Sequence, residues 1–133
     1  MHMQFLVNLK YILLRTLFSM FIKHSSKIKP VNIPDAGIKD TSMKILTAGK
    51  GNYILRKFTI KKNGHTPLHK HAWEHEIYIS KGNGLLQYKN GKKLFRSKLS
   101  EGIVIYIKPF ETHQFLNHSK KDFEFLCIVP GKK

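Results

Sequence analysis

From Val31 onward, apolar and polar residues alternate in short stretches that are separated by glycine, asparagine and proline. Alternation with a period of two is typical of a strand that buries one face. It predicts strands at residues 53–60, 66–71, 76–80, 85–88, 94–99, 103–107, 113–117 and 123–129. A turn is predicted at 62–64, and Asn90-Gly91 is a strong hairpin signal. Many short strands without a convincing helix predict an all-β sandwich or barrel.

Residues 1–30 follow a different pattern, because residues 5–22 are mostly apolar but contain Lys10 and Arg15. Near the centre of a membrane-spanning helix, each basic residue would cost about 2.5–3.5 kcal/mol. A secretory signal would carry its positive charge ahead of the apolar run. We therefore predict a basic apolar extension over 1–30 and a barrel domain over 31–133. The extension is expected to be a helix that packs on the domain or lies on a membrane surface; a targeting segment and a mis-assigned start codon are alternatives.

The composition bounds the class of protein. A chain of 133 residues with 41% hydrophobic residues is the size of one domain with a packed core. Its single cysteine, Cys127, excludes an intrachain disulfide, so we expect a cytoplasmic protein. The formal net charge is +16, but the lysines are spread along the chain and only three residues are arginine. We therefore expect a solvated basic surface and no specific nucleic-acid partner.

Three histidines stand close together between two of the predicted strands. His69 and His71 are two positions apart in an extended stretch, so their side chains project to the same side. His75 shares its parity with Ile77 and Ile79, which are expected to face the interior. Neutral imidazole is a common metal ligand, and three imidazoles that converge on one interior point indicate a metal site.

A second stretch carries another candidate ligand. A buried strand at 103–107 runs into a turn at Pro109, and His113 begins the strand that follows. Alone, a histidine at this position is more often an ordinary core or surface residue than a ligand. His113 is favoured as a ligand only because of the order and spacing of the two stretches together.

Together the two stretches resemble the two signature motifs of the cupin family. The first is His69-x-His71-x-x-x-His75-Glu76 with glycines at 82 and 84, and the second runs from Gly102 through Pro109 to His113-x-x-x-Asn117. The resemblance covers about residues 31–130. It implies a small double-stranded β-helix (jelly-roll) barrel, one divalent transition metal held by histidines from both motifs, and a homodimer. Manganese, iron, zinc, nickel and copper are all candidate metals.

The sequence departs from the usual family pattern at two places. The pattern would make Glu76 the third ligand, but strand parity with the isoleucines favours His75. The predicted ligand set is therefore that of an all-histidine cupin site: His69, His71, His75 and His113. In the second motif Glu111 stands where a glycine is common, and one residue fewer precedes His113, which bears on the turn geometry.

Three further residues are predicted to line a substrate pocket. Arg56 shares its strand face with Phe58 and would point inward, where it could bind a substrate carboxylate or pair with a nearby acid. Phe125 and Cys127 line the cavity if Glu124 faces water, although plain core packing is the favoured role for Cys127, because a free cysteine is usually a small buried hydrophobic residue. No catalytic residue is assigned.

Three classes of function remain open at this point. The first, which we prefer, is a metal-dependent enzyme, an oxygenase, isomerase or lyase that acts on a small organic acid or phenolic compound. The second is a non-catalytic module or sensor that binds a metal or small ligand. The third is attachment to nucleic acid or a membrane surface through the basic surface and residues 1–30. A pocket with polar groups such as Arg56 would favour the enzyme over the binding module.

Overall fold

The computed structural model describes residues 20–33, 35–47 and 51–131. A short 3-10 turn at Ser25–Lys27 precedes eight strands. The strands are β1 Lys39–Ile45, β2 Tyr53–His65, β3 His75–Lys81, β4 Gly84–Asn90, β5 Lys93–Leu99, β6 Val104–Ile107, β7 His113–Leu116 and β8 Phe123–Pro130.

All strand pairs are antiparallel, and the sheet order is β5-β4-β7-β2-β8-β3-β6, with β1 paired to β2. The described residues contain no regular helix longer than the 3-10 turn. The architecture confirms the predicted all-β jelly-roll barrel.

Alternation along the strands places the core, as expected from the sequence. On β3, His75, Ile77 and Ile79 are buried while Glu76 and Tyr78 are exposed. The same pattern on β8 buries four side chains that pack on those of β2, β3, β4 and β7. The buried apolar residues are Ile60, Ile77, Ile79, Leu86, Leu99, Ile107, Phe115, Phe123, Phe125, Cys127 and Val129. One curled sheet therefore encloses one hydrophobic interior.

The predicted turn at 62–64 is wrong, because β2 continues through it to His65. The extra residues form an irregularity in the pairing with β1, where Lys39 pairs with His65 but Thr41 pairs with Ile60. Asn63 has a positive φ of 62°, and a Cβ on Gly64 would lie 2.7 Å from the Lys39 carbonyl oxygen. Asparagine tolerates the left-handed conformation and glycine permits the close approach, so this pair supports a bulge as readily as a turn. The hairpin at Asn90-Gly91 is confirmed, with Asn90 paired to Lys93.

The predicted strand at 66–71 is also wrong as a regular strand. Only His69 pairs there, in an isolated bridge to His113. Pro67 lacks the N–H group that a ladder requires, which explains the interruption. The segment nevertheless alternates, since Leu68 and Lys70 are exposed while His69 and His71 are partly buried.

The expected helix in the N-terminal extension falls mostly outside the described residues. Residues 20–24 have no regular structure, and the segment that follows contacts β1. Lys44 Nζ donates to the Ser25 carbonyl oxygen at 3.0 Å, and the Val31 N–H donates to the Met43 carbonyl oxygen at 2.9 Å. Within the ranges that the structure describes, no helix is long and apolar enough to cross a membrane.

Candidate metal centre

Three histidines from two distant parts of the chain meet at one wall of the barrel. His69 and His71 lie on the extended segment before β3, and His113 is the first residue of β7. One ring nitrogen from each lies within 4.8 Å of the others. The backbones of His69 and His113 exchange two hydrogen bonds, of 3.1 and 2.9 Å, and these bonds hold the two segments together. The convergence expected from the sequence is therefore present for these three side chains.

The ring of His113 is oriented by a backbone contact. Its Nδ1 lies 2.7 Å from the carbonyl oxygen of Glu111. A carbonyl oxygen can only accept a hydrogen bond, so Nδ1 carries the proton and Nε2 keeps its lone pair. This arrangement is common for metal-binding histidines, in which the second nitrogen is fixed by a hydrogen bond. The Glu111 position, which departs from the family pattern, thus supplies the orienting carbonyl.

His75 lies beside this group without being part of its tightest set. Its ring centroid is 5.0 Å from that of His71 and 5.1 Å from that of His113. Its Nδ1 lies 3.3 Å from Cys127 Sγ, and its Nε2 is buried without a hydrogen-bond partner. Glu76, the alternative ligand, is on the exposed face of β3. The inward orientation of His75 is as expected, and its role as a ligand stays a prediction.

The surroundings hold these histidines in the neutral form. Burial is the main cause that lowers the pKa of all four, and it acts together with charge repulsion from neighbouring histidines for all but His113. The pKa of His71 falls to about 4 and that of His75 to about 3, with Arg56 adding a smaller effect in the same direction. Neutral imidazole is the form that binds a metal, so the site is ready for one at neutral pH.

The residues present fit a divalent transition metal. A buried nitrogen without a partner is costly unless another group satisfies it, and His75 Nε2 is such an atom. His113 Nε2 is left with a lone pair for the same purpose. Imidazole suits zinc, copper, iron and nickel alike, so the donor set does not select among them.

A cavity of about 400 Å³ opens beside the histidines. Arg56, Phe125 and Cys127 are among the residues that line this cavity, and their role toward a substrate stays a prediction. Trp73 stacks on His71 with ring centroids 4.6 Å apart and planes 7° apart, so it covers one side of the cluster. The other lining residues are Ile33, Asp35, Ile38, Met43, Phe58, Thr66, Pro67, His69, His71, His75, Ile77, His113 and Phe115.

Sequence reasoning missed the part of this wall that comes from residues 33–43. Asp35, the acidic member of the lining, lies in a segment for which no element was predicted, and Met43 lies on β1, which was not predicted. Thr66 was also missed, although its buried hydroxyl accepts from the Phe115 N–H at 2.9 Å and so positions β7. Asn117, the last residue of the second motif, is fully buried and bonds the carbonyl oxygens of Ile60 and Lys121, which makes its role structural.

Comparisons with known proteins agree with this architecture. A family model described as "Cupin domain" matches residues 56–129. The polyketide cyclase RemF from Streptomyces resistomycificus is 28% identical with a TM-score of 0.76, over 85% of this chain and 80% of that one. A predicted oxalate decarboxylase from Thermotoga maritima is 26% identical with a TM-score of 0.69, over 84% of this chain and 100% of that one. No curated protein matches the chain.

Proposed function

Since this chain belongs to the cupin-domain family, we propose that it binds one divalent transition metal through His69, His71, His75 and His113. We further propose that it is a metal-dependent enzyme, an oxygenase, isomerase or lyase that acts on a small organic acid or phenolic compound. The supporting observation is that the histidine cluster lies at the wall of a cavity that also contains a partly buried arginine, Arg56.

The side chains around the cavity have separate tasks in this proposal. The histidines hold the metal, and when bound the metal supplies a Lewis acid next to the cavity. Trp73 and the phenylalanine side chains exclude water from one side of the substrate, which strengthens electrostatic interactions inside the cavity. Cys127 orients His75, because its sulfur lies 3.3 Å from Nδ1.

Two of the similar structures support the proposed substrate classes. One is named as a polyketide cyclase and the other as a predicted oxalate decarboxylase. The non-catalytic binding module is the second candidate. An apolar, closed surround would favour it, whereas the cavity here contains Arg56, Thr66 and Asp35 among its apolar walls. The polar lining favours the enzyme.

Metal content tests the first part of the proposal. Protein purified without added metal and then loaded with zinc or manganese is expected to retain about one ion per chain by elemental analysis. The His75→Ala variant is expected to bind the ion more weakly by at least roughly 10- to 100-fold, the loss typical of a residue that only supports a ligand, and His113→Ala at least as weakly. Glu76→Gln is the matched control and should retain the wild-type content, because Glu76 is exposed on the opposite face of β3.

The pattern of loss distinguishes the ligand sets. Loss of the metal in Glu76→Gln, with the metal retained in His75→Ala, would show that the Glu76 carboxylate is a ligand in place of His75. Loss in His113→Ala with retention in both other variants would reduce the site to the three histidines that lie closest together. A wild-type protein that takes up no zinc, manganese, iron, nickel or copper would overturn the proposed metal site.

Cys127 gives a second, independent prediction. Arg56 Nη2 lies 3.2 Å from its sulfur and can only donate, so the sulfur accepts there and can also accept from His75 Nδ1–H. This arrangement leaves the lone pair of His75 on Nε2. We expect Cys127→Ala to weaken metal binding about tenfold and Cys127→Ser, which retains an acceptor, to weaken it less. Competition with a chromophoric chelator measures both affinities.

A purely structural role for Cys127 would give a different result. In that case both variants would lose stability to similar degrees while the metal affinity of the folded protein stayed unchanged. The tautomer of His75, read from its ring nitrogen shifts by NMR in the metal-free protein, is expected to change in Cys127→Ala and to persist in Cys127→Ser.

A further inference from the structure

Arg56 occupies a position that leaves its charge largely uncompensated. It lies on β2 opposite Cys127 of β8, and its side chain lines the cavity. Nη2 donates to Cys127 Sγ at 3.2 Å, and Nη1 lies 3.8 Å from Met43 Sδ. Nε is buried and has no hydrogen-bond partner. Both contacts are to sulfur, which is a weak acceptor, so the guanidinium retains unused donor capacity.

No carboxylate of the described residues forms an ion pair with Arg56. The ion pairs in those ranges are Lys57–Glu124 and Lys61–Asp122. Asp35 is the acidic residue that lines the cavity, and it is exposed and makes no hydrogen bond to Arg56. Arg56 is partly buried and its Nε is fully buried, so its charge is less well solvated than at the surface and an anion in the cavity would compensate it. The alternative left open by the sequence, pairing with a nearby acid, is therefore not observed.

The guanidinium is held in place before any ligand arrives. Its Cζ lies 5.1 Å from the ring centroid of Phe58, and that ring stacks on Phe125 at 5.0 Å with planes 14° apart. The two sulfur contacts hold the opposite side of the group. A planar guanidinium whose orientation is restricted suits bidentate binding of a carboxylate.

The arginine is also adjacent to the histidine cluster. Cys127 Sγ contacts both Arg56 Nη2 and His75 Nδ1, so one sulfur atom separates the cationic group from the candidate metal ligands. The remaining cavity wall near them is aromatic and aliphatic, with Phe58, Phe115 and Ile77 among its members. A ligand that fits this arrangement has an anionic end and an apolar body.

We propose that Arg56 binds the carboxylate of a small aromatic or aliphatic monocarboxylate, whose apolar body lies against the phenylalanine wall. The inference rests on the proposed function, because it names the substrate class of the same cavity. Neutral or cationic ligands of the same shape would leave the guanidinium without a partner. In the metal-free protein, selectivity for the carboxylate should therefore come from this one residue.

Trp73 provides the readout, because it is the single tryptophan of the chain and it lines the cavity. Its fluorescence is followed while metal-free protein is titrated with benzoate and, separately, with benzyl alcohol, a neutral molecule of similar shape. Benzoate is expected to bind roughly 10- to 100-fold more tightly than the alcohol. Arg56→Met should remove that preference. Arg56→Lys should keep only part of it, because the lysine ammonium cannot form the two parallel hydrogen bonds of a planar guanidinium.

Arg96→Met is the matched control. Arg96 is exposed on β5, where its Nε donates to Gln87 Oε1, and it does not line the cavity. It should leave the benzoate preference unchanged. Circular dichroism verifies that each variant is folded, and Arg56→Lys keeps the test decisive if Arg56→Met is not folded.

Using metal-free protein separates this inference from the proposed function, since a bound metal could attract benzoate by itself. A zinc-loaded sample is titrated in parallel. Metal uptake together with benzoate binding that is unaffected in the Arg56 variants would overturn the inference and leave the metal site standing. Arg56-dependent benzoate binding without any metal uptake would support the carboxylate site and overturn the metal proposal. Equal affinity for benzoate and benzyl alcohol would overturn the inference.

Discussion

Metal-free protein is expected to lose roughly 4 kcal/mol of its free energy of unfolding when the pH falls from 7.5 to 4.5. Over this range the pKa shifts of His75 and His71 correspond to about 5 kcal/mol, and the expected loss is smaller because His71 is partly exposed to solvent. Burial, with repulsion from neighbouring histidines, lowers the pKa of His75 to about 3 and that of His71 to about 4. In the unfolded chain both have a pKa near 6.5. Between these values the unfolded state binds protons that the folded state does not, so stability falls as the pH falls. The lowered pKa of His69 and of His113 acts in the same direction.

Urea unfolding in the presence of a chelator, at intervals between pH 7.5 and 4.5, measures this dependence. The His75→Gln variant should show a shallower slope between pH 6.5 and 4.5, because one fewer proton is taken up on unfolding. Exposed His118 gives the matched control, and His118→Gln should follow the wild-type profile. A wild-type profile that is flat above pH 4.5 would contradict the burial of neutral histidines.

Replacing Phe125 with alanine is expected to cost about 3–5 kcal/mol of unfolding free energy. The side chain is 2% exposed and contacts three other phenylalanine rings. Its ring centroid lies 5.0 Å from that of Phe58, 4.4 Å from that of Phe115 and 5.6 Å from that of Phe123. Removing it would leave a void at the centre of this aromatic cluster, which the surrounding sheet can fill only in part.

Denaturant titration of the metal-free protein at pH 7.5 tests this expectation without interference from ligand binding. Phe110→Ala is the matched control, because its side chain is 65% exposed, and it should change stability by less than about 1 kcal/mol. Phe125→Leu should give an intermediate loss. A loss below about 1 kcal/mol in Phe125→Ala would show that the cluster can repack around the gap.

Most strands that follow residue 75 were predictable because apolar and polar residues alternate along them and glycine, asparagine or proline stands close to their ends. Strand β3 shows this best, since the parity of Ile77 and Ile79 also gave the inward orientation of His75. Strand β1 was not predictable in the same way. Its sequence, Lys-Asp-Thr-Ser-Met-Lys-Ile, has only two apolar residues, Met43 and Ile45, and its last five residues are only partly buried. Pairing with β2, rather than its own pattern, makes it a strand.

The site was predictable where strand parity or the resemblance applied to it. The approach of His69 and His71 to His113 followed from the two motifs, but the backbone bridge between His69 and His113 did not, because no local pattern marks a single pair of residues. Tertiary contacts that depend on loop conformation could not be predicted from the sequence either. The stacking of Trp73 on His71 and the contribution of Asp35 to the cavity wall are examples.

The position of β8 in the sheet has a consequence for folding during synthesis. This strand lies between β2 and β3 and pairs with β2 over eight residue pairs, from Tyr53↔Pro130 to Ile60↔Phe123. The ribosome adds about 5–20 residues per second, so the roughly 60 residues between the two strands take on the order of 3–12 s to appear. Until β8 is made, the edges of β2 and β3 that pair with it have no partner strand. A nascent chain of this protein is therefore expected to depend on a chaperone until β8 emerges.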